Sequence, residues 1–277
     1  MATAKQRAFR LTGADGGPLR GDVRTAGEDR PAVVICHGFK GFKNWGFFPV
    51  IAEQLARAGF TAVSFNFSGS GVGEDGETFS EPERFAHVTY SAEVRDLDRI
   101  ITALADGSVG LAPTAIGVLG HSMGGGVAVL QAAGDQRVGA LVTWAATARF
   151  GRLWQPEQVP EWRRTGTLEV MNQRTGEILP LSTDILDDWE RNAARLDVSR
   201  AAGLVRGPWL IAHGSADESV PVDDARALHE ANPRSELLLL DDAGHTFGIK
   251  HPWGGSSKAF DRLYQATVAW FARHLLP

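Results

Sequence analysis

From residue 32 onward the chain alternates short apolar runs with longer segments of helical period, a rhythm that few folds accept. Residues 32–36, Ala-Val-Val-Ile-Cys, form a continuous apolar run of the kind a strand covered on both faces requires. Helical periodicity follows over 47–58 and stops at Gly59, and a second run spans 61–67. Residues 84–105 read as one long amphipathic helix with Val94, Leu97, Ile101 and Leu104 on its apolar stripe. Further strands are predicted at 115–119, 138–144, 208–212 and 236–240, with helices at 123–133, 222–231 and 257–276. This order predicts an α/β fold with a mostly parallel central sheet and helices on both faces. Before it, polar strands around 7–11 and 19–24 flank a turn cluster at 13–18, which predicts an antiparallel hairpin at the sheet edge.

One stretch breaks the rhythm. Between 145 and 195 there is no buried strand, and Trp154, Trp162 and Trp189 are spread among Arg, Glu and Pro. Residues 167–171 and 177–181 flank a turn at 172–176 as a small hairpin, and 183–196 has helical character. A segment this long carries structure or function of its own. It follows a strand end, where α/β enzymes bind ligands, and is read as a lid inserted into a single domain spanning 1–277. The three tryptophans are candidates for a substrate pocket, with packing of the lid onto the core as the equal alternative.

Composition removes several function classes. A net charge of −5 and a pI near 5.9 argue against a nucleic-acid-binding surface. One cysteine, Cys36, cannot make an internal disulfide. Residues 1–12 lack the apolar centre of a signal peptide, and no apolar run approaches the length of a membrane span. The expectation is a cytoplasmic protein with no membrane partner; oligomeric state is left open.

The chemistry is carried by Gly120-His121-Ser122-Met123-Gly124, directly after the run 115–119 and before the helix 123–133. A strand-to-helix turn this tight strains the serine backbone, demands small residues two positions away, and lifts the hydroxyl above the sheet edge beside a helix N-terminus. The alternative is a glycine-rich turn that only packs closely or binds an anion.

A serine hydroxyl is a weak nucleophile until a base takes its proton. Of eight histidines, His245 lies in Asp242-Ala-Gly-His-Thr-Phe, just past the strand 236–240 and at the same sheet edge as Ser122. An acid is needed to orient that imidazole. Asp217 follows the strand 208–212 in His213-Gly-Ser-Ala-Asp217, with Glu218, Asp241 and Asp242 as rivals. Acyl transfer also needs amide donors for an oxyanion. Met123, after the nucleophile, is one candidate. Phe39, in Cys36-His37-Gly38-Phe39-Lys40-Gly41 after an earlier strand, is the other.

Together, His37-Gly38-Phe39, the 120–124 elbow, Gly214-Ser215-Ala216-Asp217 and Gly244-His245 resemble the α/β-hydrolase superfamily. Within it the chain is most similar to lidded bacterial carboxylesterases of the feruloyl and cinnamoyl esterase type, with dienelactone-hydrolase and serine-aminopeptidase-like groups as neighbours. The resemblance implies Ser122, Asp217 and His245 as a catalytic triad and Phe39 and Met123 as oxyanion donors. It also implies cleavage of a small-molecule ester with neither metal nor organic cofactor. A peptidase, thioesterase or carbon–carbon bond hydrolase would use the same triad, and a non-catalytic binding protein on this scaffold is the reading from another class.

Overall fold

The computed structural model describes residues 5–172 and 176–277; part of the turn expected at 172–176 lies outside them. The polar strands at the start are β1 (Lys5–Thr12) and β2 (Pro18–Thr25), paired antiparallel. The apolar runs become β3 (Ala32–Cys36), β4 (Thr61–Asn66), β5 (Ile116–His121) and β6 (Val138–Trp144). The insertion contributes β7 (Thr167–Met171) and β8 (Ile178–Ser182), and the chain ends with β9 (Trp209–Gly214) and β10 (Glu236–Leu240). Helices α1 (Phe48–Arg57), α2 (Pro82–Ala86), α3 (Tyr90–Ala105) and α4 (Met123–Gly134) connect the first half. Then come α5 (Val159–Thr165) and α6 (Asp184–Arg191) of the insertion, followed by α7 (Val198–Ala202), α8 (Val222–Ala231) and α9 (Lys258–Leu275).

Eight strands form one sheet in the order β1-β2-β4-β3-β5-β6-β9-β10, parallel from β4 to β10. Every residue of β3, β4, β5 and β9 is buried, as continuous apolar runs between two helical layers should be. The chain moves from β3 outward to β4, then back across to β5, so the strand order reverses at β3/β5. Ligand crevices in open α/β sheets form at such a switch point, outside the carboxyl ends of the strands. The loops leaving β3, β5, β6, β9 and β10 therefore stand side by side along one edge.

Two expectations are corrected. The single helix foreseen at 84–105 is two, because Thr89 is extended (φ −139°, ψ 150°) and caps α3, its hydroxyl accepting from the Ala92 amide at 3.2 Å. On α3, Leu97, Ile101 and Leu104 are buried as foreseen, but Val94 is only half-buried, and the carboxyls of Glu93 and Asp96 share the inner face. Asp96 accepts from the amides of Ala14 and Ser68 and from the Ser68 hydroxyl, tying the first hairpin to the end of β4.

The insertion folds on its own tryptophans. Trp154 meets Trp162 and Trp189 edge-on, with ring centroids 5.5 and 6.0 Å apart, and the Trp162 indole donates to the Leu181 carbonyl at 2.8 Å. Asp188 of α6 accepts from the Ser91 amide at 2.9 Å, which fastens the insertion to the start of α3. Among the described residues no helix is long and apolar enough to cross a membrane.

Candidate active site

Ser122 stands between β5 and α4 with φ 58° and ψ −123°, a strained conformation for a residue with a side chain. The turn closes only because its neighbours lack a Cβ. One built on Gly120 would lie 2.4 Å from the Gly124 carbonyl oxygen, and one on Gly124 would lie 2.2 Å from that of His37. The elbow and the loop after β3 thus touch backbone to backbone. Lys40, Ala145, Asp242 and Phe247 also have positive φ (47–55°), so most of the strained non-glycine residues line this one sheet edge.

The Ser122 hydroxyl lies 3.0 Å from Nε2 of His245, whose Nδ1 lies 2.8 Å from Oδ2 of Asp217. The ionised carboxylate only accepts, so the imidazole proton sits on Nδ1 and Nε2 is left to receive the serine proton. The Asp217 Oδ1 accepts from the amides of Ser219 and Val220 at 2.8 and 2.9 Å. Burial alone would raise this carboxyl. The hydrogen bonds from His213 and His245, the charge of His245 and the Val220 amide outweigh burial and hold it well below the usual carboxylate range. The rivals Glu218, Asp241 and Asp242 are exposed, and Asp242 shapes the histidine turn by donating its amide to the Ser215 hydroxyl.

Sequence reasoning passed over His213. Its Nε2 donates to the Val220 carbonyl at 2.9 Å and lies 3.3 Å from Oδ2 of Asp217, making it a second imidazole behind the acid. The spacing of four residues to Asp217, on opposite sides of a turn, was the available signal. His121 donates from Nε2 to the His245 carbonyl at 3.0 Å and bridges the elbow to the loop after β10. Behind the β3 loop, burial lowers His37 to about 4, against the opposing hydrogen bond to Gly38. The neutral ring accepts the Phe67 amide on Nε2 (3.3 Å) and donates from Nδ1 to the Gly38 carbonyl (2.9 Å), fixing the residue before Phe39.

A cavity of about 370 Å³ opens over Ser122, with Phe39, Met123 and His245 in its wall. The expected site residues on the β3, β5 and β10 loops therefore converge, and Asp217 stands directly behind His245. Trp154, Trp162 and Trp189 do not line this cavity; from the 145–195 segment Thr147, Arg149, Phe150, Arg152, Leu153 and Asn172 do. The tryptophan rings pack with one another inside the insertion, whose other buried apolar side chains include Leu179, Leu181, Ile185 and Leu186.

Residues 27–196, more than half of the chain, match the family described as serine aminopeptidase, S33. The chain is 26% identical to an uncharacterized 31.7 kDa protein of the traX-finO intergenic region of Escherichia coli, over 88% of this chain and 91% of that one. It is 25% identical to 2,6-dihydropseudooxynicotine hydrolase of Paenarthrobacter nicotinovorans, covering 86% of this chain and 58% of the relative. Est1E from Butyrivibrio proteoclasticus shares the fold with a TM-score of 0.68 at 19% identity, over 96% of this chain and 98% of that one. The family match, the fold and the elbow agree: the chain belongs to the serine aminopeptidase S33 family and is a serine hydrolase of the α/β-hydrolase superfamily.

Proposed function

We propose that the protein is a carboxylic ester hydrolase working through an acyl-enzyme on Ser122. The observation that carries the reading is the unbroken relay from the Ser122 hydroxyl through His245 to Asp217 at the floor of a cleft. In the first half-reaction His245 Nε2 takes the Ser122 proton as the oxygen attacks the ester carbonyl, and Asp217 stabilises the imidazolium. The amides of Phe39 and Met123 are the proposed donors to the oxyanion. His245 then gives its proton to the departing alcohol. Water repeats the sequence in reverse and frees the acid. The 145–195 segment acts as a lid, shaping the cleft through Phe150, Leu153 and Asn172.

The family's descriptive name suggests release of an N-terminal amino acid. That activity would need a carboxylate to receive the substrate's α-ammonium group. Among the described lining residues there is no Asp or Glu, and this favours the ester over the aminopeptidase reading.

A fluorophosphonate should label the protein once, at Ser122, in competition with a short activated ester, with the labelled peptide identified by mass spectrometry. Ser122→Ala should abolish labelling and lower ester turnover by about 10⁶, leaving residual catalysis from binding and oxyanion donors. Labelling at another residue, or retained turnover in a folded Ala variant, would refute the mechanism. Peptide cleavage without ester cleavage would refute the substrate class.

A further inference from the structure

We propose that the cleft takes esters carrying a second, ionised carboxylate, and that Arg149 binds it. The proposal rests on the ester reading above and specifies its substrate class.

The chain as a whole carries −5, yet the cleft over Ser122 is lined by Lys40, Arg149 and Arg152 and, among the described residues, by no acid. The charge of Arg152 is answered from beneath by Asp224, a buried carboxylate with which it forms an ion pair. Asp224 also accepts from the Ala148 amide at 2.8 Å and lies 3.4 Å from the Thr147 hydroxyl. On its other side this segment is bonded to the nucleophile, the Thr147 amide donating to the Ser122 carbonyl at 3.2 Å.

Arg149 is held by the same turn. Its amide donates to the Thr147 hydroxyl at 3.2 Å, and its carbonyl accepts from that hydroxyl at 3.0 Å. The Arg149 backbone is therefore fixed within two residues of the contact to Ser122, while its side chain is exposed and has no ion pair among the described residues. A guanidinium on an anchored stem, beside a scissile-bond site, is a ready partner for a planar carboxylate, which it meets with two parallel N–H bonds. Lys40 stands in the same wall, its ammonium donating to the Met171 carbonyl at 2.8 Å. A neutral ester would leave Arg149 to solvent; an anionic one gains a charged hydrogen bond that orients it for attack.

The test measures kcat/KM for two matched pairs of esters. In the acyl pair, p-nitrophenyl monoadipate is set against p-nitrophenyl hexanoate. In the alcohol pair, the butyrate ester of 4-hydroxybenzoate is set against phenyl butyrate. In at least one pair the anionic ester should be preferred about tenfold or more, mainly through KM, and the preference should shrink as salt is raised. Arg149→Gln should collapse that ratio towards one. Arg163→Gln should keep it, because Arg163 is ion-paired on the insertion to Asp187 and Glu190. Turnover of the neutral esters with no anionic preference in either pair, or a preference that survives Arg149→Gln, overturns this proposal alone. No turnover of any of the four overturns the ester reading and this proposal with it.

Discussion

Asp217, in the turn after β9, and Glu93, on the inner face of α3, are both carboxyl side chains withdrawn from solvent, at 8% and 3% exposure. Their surroundings drive them in opposite directions. Asp217 is met by two amides and two imidazoles, and its carboxyl is held low. Glu93 lies under the sheet with no hydrogen-bond partner for Oε2 among the described residues. Burial, with the charge of Asp96 behind it, pushes its carboxyl well above the usual range. Burial alone therefore does not mark a catalytic acid. What distinguishes the β9 turn is a set of N–H donors aimed at the carboxylate, one of them on the imidazole that reaches the Ser122 hydroxyl.

The largest effect should come from Asp217→Asn. The new amide can still accept from Ser219 and Val220 through Oδ1, so the turn and the fold should persist. Its NH₂ would face Nδ1 of His245 as a donor, which forces the imidazole proton onto Nε2 and removes the acceptor for the Ser122 hydroxyl. Ester turnover should fall by about 10⁴, and the thermal midpoint should fall as well at neutral pH, because the amide lacks the stability that the depressed, ionised carboxylate contributes there. The same change at Asp242, which is exposed, should be mild, and a comparable loss there would undo the contrast.

Much of the site could be read from the sequence because its constraints are steric and local. The elbow needs small residues at 120 and 124 and an apolar run before them, and each requirement leaves a mark in the chain. Ser122, Asp217 and His245 follow β5, β9 and β10, strand ends that the alternation had already placed along one sheet edge. The cleft wall could not be read in the same way. Trp154, Trp162 and Trp189 drew attention by size, yet their rings pack on one another within the insertion. Arg149 and Asn172 face the cleft because of how the insertion folds back, which no periodicity records. Glu93 and Asp96 were hidden for the opposite reason: a helical stripe is scored on apolar residues, and two acids on the inner face look like solvent-facing positions.

Glu93→Gln sharpens the other half of the comparison, with a smaller effect on a different property. A carboxyl whose folded value lies above its unfolded value contributes stability that is fully present below about pH 4.3, its unfolded value. That contribution is lost as pH rises towards the folded value, because the unfolded chain releases its proton first. Across this window the wild type should lose about tenfold in its folding equilibrium constant per pH unit from this one group. Glutamine keeps the shape without the proton, so urea denaturation as pH rises above about 5 should show the variant gaining on the wild type. Parallel curves would mean that Glu93 is not carrying a proton in the fold. Ester turnover should change little, since Glu93 lies on α3, away from the cleft lining.

The smallest expected effect is at His213, and it tests whether the donors around Asp217 share the task of holding it ionised. His213 has no exposed surface, its Nδ1 has no partner among the described residues, and its Nε2–H is divided between the Val220 carbonyl and Asp217. Its contribution to the site is therefore one N–H. Phenylalanine fills nearly the same volume and removes that donor, leaving the Ser219 and Val220 amides and His245 in place. Asp217 should stay ionised at neutral pH but with a smaller depression. A depressed acid contributes stability that is present above its unfolded value and lost as pH falls through its folded value. In His213→Phe that acid-side loss should therefore be smaller in total and should level off at higher pH than in the wild type. Turnover should drop about tenfold, far short of the loss in Asp217→Asn, because His245 keeps its tautomer. Urea denaturation between about pH 3 and pH 6, with kcat/KM at neutral pH, separates the outcomes. A loss as large as that of Asp217→Asn would mean that His213 governs the geometry of the acid turn and not merely the charge upon it. An unshifted acid limb would mean that the amides and His245 alone hold the carboxylate.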